Sequence, residues 1–190
     1  MKKFVWAALL AASLPVIHGC AAVIVGGAAT GVMIADDRRK TGVYLKDEEI
    51  ELRALDRLRG QFPEKTVSVS VTSFNQNVLL TGQVPDQDTK AKVVEAIRAI
   101  PNVVRVFDET TVSGRTSLTS ETNDASITTS VKTRLIGSNK VSSNHVKVVT
   151  EASVVYLMGL VTREEGDEAA RIAASTKGVT RVVKVFEYLN

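Results

Sequence analysis

The apolar positions of this chain form a pattern that is written twice. Ile50, Ala54 and Leu58 recur every four residues, the period of a helix with one buried face, and Asp47 ahead of them has the character of an N-cap. Val67, Val69 and Val71 alternate with Ser68 and Ser70, as in a strand with one wet face, and a second strand follows over residues 78–84. Val93, Val94, Ile97 and Ile100 return to the helical period, and residues 103–107 supply a third strand. Adding 77 to these positions reproduces the pattern. Asp47 falls on Asp124, with Asn123 or Asp124 as the cap of the second copy's first helix, Ile50 on Ile127, Ala54 on Val131, Arg57 on Arg134 and Leu58 on Leu135. Val69 and Val71 fall on Val146 and Val148; Val78, Leu80, Gly82 and Val84 fall on Val155, Leu157, Gly159 and Val161. Beyond the second strand the offset becomes 76, so that Arg105 meets Arg181 and Val106 meets Val182. Ala169, Ala170, Ala173 and Thr176 match the second helix, and residues 179–185 the third strand. Gly60 and Gly137 are placed to stop the two first helices. Each copy therefore reads αββαβ. Two helical stripes must be buried, and one three-stranded sheet can cover both on a single face, an α+β design.

The start of the chain is of another kind. Lys2 and Lys3 precede an apolar run over residues 4–17, followed by Ile17-His18-Gly19-Cys20. A basic start, a short apolar core and small residues before a cut make residues 1–19 a secretory signal, and the run is short for a membrane span. Cys20 directly after Gly19, with Ile17 three places before it, resembles a bacterial lipobox, which implies acylation of Cys20 as the new N-terminus. Ala21, rather than an acid, next to it points to the outer membrane, lipid-anchored at the periplasmic face. Residues 21–35 are uncharged and rich in Ala, Gly and Val before Asp36-Asp37-Arg38-Arg39-Lys40 turns the chain polar. Residues 20–46 thus read as a lipid-anchored tether, with Tyr44 and Leu45 available to pack on the first domain. The domains run over 47–113 and 124–190, joined by a Ser/Thr-rich linker at 114–123.

Composition narrows the function. The 190 residues are 44% apolar and 24% charged, which is globular and excludes a disordered or multispan chain. One Cys excludes a disulfide framework and any Cys-cluster metal site. The formal charge of +3 falls to +1 once Lys2 and Lys3 are removed, so nucleic acid is not an expected partner. His18 leaves with the signal, and His145 has no Cys partner in the folded domains. Glu164, Glu165, Asp167 and Glu168 crowd a helix start, where the dipole favours them, as do Asp86 and Asp88. Gly26-Gly27 precedes no phosphate-binding lysine. No catalytic residue, metal ligand or cofactor site is expected, and the protein is read as not an enzyme.

The αββαβ order, the Val-x-Leu-x-Gly-x-Val strand at 78–84 and 155–161, and the pairs Asn102-Val103 and Gly178-Val179 before the last strands resemble the BON domain. Two such domains after a lipobox resemble the dual-BON outer-membrane lipoproteins. The resemblance implies binding to anionic phospholipids such as phosphatidylglycerol and cardiolipin, no catalysis, and a role in outer-membrane integrity and at the division site.

The copies differ in charge. Residues 47–113 carry 8 basic and 11 acidic residues, and residues 124–190 carry 9 and 7. The first helix of the first copy holds Asp47, Glu48, Glu49, Glu51 and Asp56, whereas its counterpart has Asp124 followed by Lys132 and Arg134. Each basic residue near an anionic bilayer contributes about 1 kcal/mol of attraction, and an acid opposes it. The second copy's first helix is therefore the expected phospholipid contact, through Ser126, Thr129, Ser130, Lys132, Thr133, Arg134 and Ile136, with Ile127, Val131 and Leu135 in the core. The second strands differ as well. The positions pointing away from the helices are Asn77, Leu79, Thr81 and Gln83 in one copy, but Val154, Tyr156, Met158 and Leu160 in the other. That apolar face marks an interface, with the first domain as its most economical partner. The alternative function is an adaptor that docks an envelope protein assembly through the same face.

Overall fold

The computed structural model describes residues 37–63, 65–113 and 118–189. Cys20, the signal and the start of the tether lie outside them. The elements are α1 (Thr41–Gln61), β1 (Ser68–Phe74), β2 (Asn77–Val84), α2 (Gln87–Arg98), β3 (Arg105–Asp108) and a short β4 (Thr111–Val112). The second set is α3 (Leu118–Ile136), a 3₁₀ turn (Ser143–His145), β5 (Val146–Glu151), β6 (Val154–Val161), α4 (Arg163–Ala174) and β7 (Arg181–Tyr188). Each sheet is mixed. β1 pairs antiparallel and β3 parallel with β2, and β5 and β7 pair in the same way with β6. β4 extends the first sheet beyond β3, also against β2.

Each domain has its own core between helices and sheet. Ile50, Ala54 and Leu58 of α1 meet Val78, Leu80 and Val84 of β2 and Val93 and Ile97 of α2. Ile127, Val131 and Leu135 of α3 meet Val155, Leu157 and Val161 of β6 and Ala169, Ile172 and Ala173 of α4. Burying one such aliphatic side chain contributes about 1.5–3 kcal/mol.

The opposite faces of the sheets meet each other. Phe74 and Leu79 of the first domain form a third cluster with Tyr156, Met158 and Val185 of the second, and Phe107, Val149, Val154, Leu160 and Val183 pack around it. Tyr156 is 3% exposed and Met158 1%. Every residue of β2 is buried, because helices cover one side of it and the second sheet the other. The adaptor reading needed the face of Val154, Tyr156, Met158 and Leu160 open; the first domain covers it. Polar pairs frame the contact. Glu187 accepts from Nδ2 of Asn75 and of Asn77 at 2.8 and 2.5 Å. Glu151 accepts from Gln83 Nε2 at 2.6 Å, and burial pushes its carboxyl above the usual range. Lys147 Nζ lies 2.9 Å from Glu51.

The glycine of the repeated strand motif is explained by crowding. A Cβ at Gly82, whose φ is +110°, would sit 2.0 Å from the Ser68 carbonyl oxygen, and one at Gly159 would sit 2.4 Å from that of His145. Before the last strands, Gly178 and Asn102 both take positive φ, +93° and +70°. Asn tolerates that conformation better than other side chains, which is why it can stand for glycine there.

The helix starts differ from the sequence reading. α1 begins at Thr41 and α3 at Leu118, so residues 41–46 of the expected tether and 118–123 of the expected linker are helical. Gly60 lies inside the last turn of α1 rather than beyond it, while α3 does end just before Gly137. Asp47 and Asp124 are consequently not N-caps. Both are buried one to two turns into their helices, and each binds a hairpin turn. Asp47 accepts from the backbone N–H of Asn75 and Gln76 at 2.8 and 2.7 Å; Asp124 accepts from Ala152 and Ser153 at 2.8 Å each. These two-residue turns have positive φ at both positions, 52° and 64° in one, 49° and 63° in the other. Turns of that form favour Asn and Gly; Asn75 suits, and a charged acceptor holds the less suited Gln76, Ala152 and Ser153 in place.

Candidate functional site

Ile127, Val131 and Leu135 turn α3 onto its domain. Ser126, Thr129, Ser130, Lys132, Thr133, Arg134 and Ile136 lie on its outer side and are exposed. These seven do not act alike. The hydroxyls of Thr129, Ser130 and Thr133 each donate to the carbonyl one turn back, of Ala125, Ser126 and Thr129, at 2.9 Å. Their protons are thus held within the helix. The Arg134 guanidinium binds the C-terminus of α4, donating to Ile172 O at 3.0 Å, Thr176 Oγ1 at 2.7 Å and Ser175 Oγ at 2.9 Å. Its counterpart Arg57 does the same, donating to Ala96 O at 2.8 Å. An arginine closing the C-terminal carbonyls of a neighbouring helix is a structural device in both copies, complementing the helix dipole, so Arg134 is removed from the pool of mobile cations. Lys132 forms no ion pair with a described residue. Ile136, at the last position of α3, is 71% exposed.

The extra turns of α3 add one acid that the charge comparison left out. Glu121 is exposed in the first turn, on the same side as Lys132. It stands eleven residues before Lys132, about 16 Å along the helix axis. The uncompensated positive charge and the exposed apolar residue are therefore both at the C-terminal end of α3.

That end forms one wall of a groove of about 400 Å³ between the domains. Lys132, Leu135, Ile136 and Lys147 come from the second domain, and Tyr44, Glu48 and Phe74 from the first. Arg39 lines it as well, from the segment preceding α1. This segment, read from sequence as tether, is docked at its end. Arg38 donates to Glu165 at 2.6 and 2.7 Å and to Leu160 O at 3.1 Å in the second domain. The Arg38 guanidinium holds the Glu165 carboxyl down at about 2, and His145 Nδ1 lies 3.7 Å from that carboxylate. Arg39 pairs with Asp37 at 2.6 Å and with Asp47 at 2.8 Å, and its guanidinium sits 4.1 Å from the Phe74 ring centroid and 5.0 Å from that of Tyr44. Adjacent arginines thus strap the chain's entry to both domains. The sequence pointed to none of Arg39, Tyr44, Phe74 and Lys147 as parts of a site, because their partners lie in other elements.

Among the described residues no three His, Cys, Asp or Glu side chains meet as a metal site, and no helix is long and apolar enough to cross a membrane. Fold and surface together define a duplicated αββαβ module, joined sheet to sheet, with the C-terminal end of α3 beside an inter-domain groove. The chain belongs to the BON domain family, which matches residues 46–114 and 123–190. It is 35% identical to a Haemophilus influenzae protein named outer membrane lipoprotein DolP, over all of this chain and 97% of that one. It is 29% identical to a 21 kDa hemolysin of Actinobacillus pleuropneumoniae, over 80% of this chain and 79% of the other. It is 28% identical to the osmotically-inducible protein Y of Escherichia coli, over 80% and 77%.

Proposed function

We propose that this protein is a non-enzymatic outer-membrane lipoprotein, acylated at Cys20 and facing the periplasm, that binds anionic phospholipid through α3. Its role is to support outer-membrane integrity at the division site. The full-length similarity to a protein named as an outer membrane lipoprotein supports the location. The observation that carries the lipid reading is the inversion between equivalent helices. From Asp47 to Arg59 α1 carries five acidic and three basic side chains, whereas the equivalent stretch of α3, Asp124 to Ile136, carries one acidic and two basic, with Lys132, Arg134 and Ile136 exposed. Phosphatidylglycerol and cardiolipin are the ligands that such a surface favours. The acyl anchor supplies residence on the membrane, and the headgroup contact selects position within it through a raised local concentration.

The test is cell fractionation with fluorescence localisation. Cys20→Ala releases the protein from the membrane fraction. Lys132→Glu keeps it in that fraction and abolishes its enrichment at the division site. Unchanged enrichment of Lys132→Glu refutes lipid reading by α3.

A further inference from the structure

We propose that the groove between the domains, and not α3 alone, is the headgroup site, with Tyr44 of the first domain as its second membrane-contacting residue. This rests on the reading of α3 given above. Three observations converge on the groove. Its charged lining is Arg39, Lys132 and Lys147 with Asp47 and Glu48. Arg39 is matched by Asp37 and Asp47, and Lys147 by Glu51, which leaves Lys132 as the cation to meet the phosphate. Its rim carries Ile136 from one domain and Tyr44, 36% exposed, from the other. An aliphatic and a phenolic side chain flanking a cation suit the boundary between headgroups and acyl chains. Finally, the chain enters the folded unit here. Arg39 is on the groove wall, 19 residues after Cys20, a stretch that spans at most about 65 Å. An acylated Cys20 therefore keeps the groove within about 65 Å of the bilayer.

The arrangement explains how a helix without an aromatic residue meets a bilayer: the aromatic residue comes from the neighbouring domain, held in place because the sheets are packed together. It also makes Glu48, on the groove wall, an opposing charge.

The experiment uses the mature chain from residue 20 carrying Cys20→Ala, titrated with phosphatidylglycerol vesicles, phosphatidylcholine vesicles and glycerol phosphate. The single Trp of the sequence, Trp6, is absent from this chain, so Tyr44→Trp provides a sole reporter. Its emission is expected to shift to the blue on phosphatidylglycerol vesicles only. Lys132→Glu changes two charges and weakens binding about thirtyfold, Glu48→Gln tightens it about fivefold, and Tyr44→Ala weakens it about fivefold while Tm stays within a few degrees of the parent. If Lys132→Glu weakens binding while Tyr44→Ala and Glu48→Gln do not alter it and Tyr44→Trp does not shift, the composite groove is overturned and α3 stands alone. If Lys132→Glu has no effect, both readings fall. Competition by glycerol phosphate at concentrations equal to the lipid overturns the acyl-boundary role of Tyr44.

Discussion

Replacing Asp47 by Ala tests how this fold compensates for its own turns. The Asp47 side chain is 3% exposed and accepts four hydrogen bonds: from Asn75 N, Gln76 N, Ser73 Oγ and Arg39 Nη1, all between 2.7 and 2.8 Å. Alanine leaves two backbone N–H groups of a positive-φ turn without their acceptor, each costing about 1–3 kcal/mol. Arg39 keeps Asp37, so the lost ion pair adds about 1 kcal/mol. The expected loss is about 3–7 kcal/mol, or roughly 6–28 °C in Tm for a unit of this size. Asp124→Ala removes two such bonds and no ion pair, so its loss is expected to be smaller, about 2–6 kcal/mol. Thermal and urea denaturation followed by circular dichroism measures both, with Glu48→Ala as the exposed control on the same helix. An Asp47→Ala variant within about 0.5 kcal/mol of that control shows that the turn holds itself, and removes the argument for these buried carboxylates.

Other features give sharp outcomes. Glu165 titrates at about 2 in the folded protein against 4.5 as a free side chain, which is about 3 kcal/mol at most and about 1–2 kcal/mol with solvent at the ion pair. Because the folded value is the lower one, this stability is complete above pH 4.5 and lost as pH falls towards 2. Glu165→Gln is thus less stable than the parent at pH 7, and the gap closes in urea titrations at acid pH. Gly82→Ala and Gly159→Ala place a methyl group 2.0 and 2.4 Å from a carbonyl oxygen and are expected to cost about 3 kcal/mol or more; Gly137→Ala, whose nearest neighbour is at 3.7 Å, leaves Tm within a few degrees. Met158→Ala opens a cavity in the inter-domain cluster, costs about 2–4 kcal/mol, and increases hydrogen exchange on β2 and β6 before the helix–sheet cores respond.

The repeat was legible because each copy encodes its elements locally: apolar residues every four positions for helices, every two for strands. Ile127, Val131 and Leu135 lie in the core where that period puts them. The helix starts were not legible, because the first two turns of α1 have no buried stripe; Tyr44 and Leu45 are exposed there. An Asp at the head of an apolar period looks the same whether it caps the helix or reaches a hairpin 28 residues away. Arg134 was legible only as a positive charge. Its binding to the end of α4 is a tertiary fact, although the arginine recurring at position 57 was a signal that the residue serves the fold. The strap formed by Arg38 and Arg39 was hidden for the same reason, since charged clusters between segments are usually solvated and these two find partners in opposite domains.

The second domain, through α3, is proposed to read anionic lipid. The direct measurement is co-sedimentation of the mature Cys20→Ala chain with phosphatidylglycerol, cardiolipin and phosphatidylcholine vesicles at low and moderate salt. Binding is expected to the two anionic vesicles only, weakened by salt and lost on Lys132→Glu. Binding indifferent to headgroup charge, or none at low salt, contradicts it and leaves acylation of Cys20 as the sole proposed membrane contact.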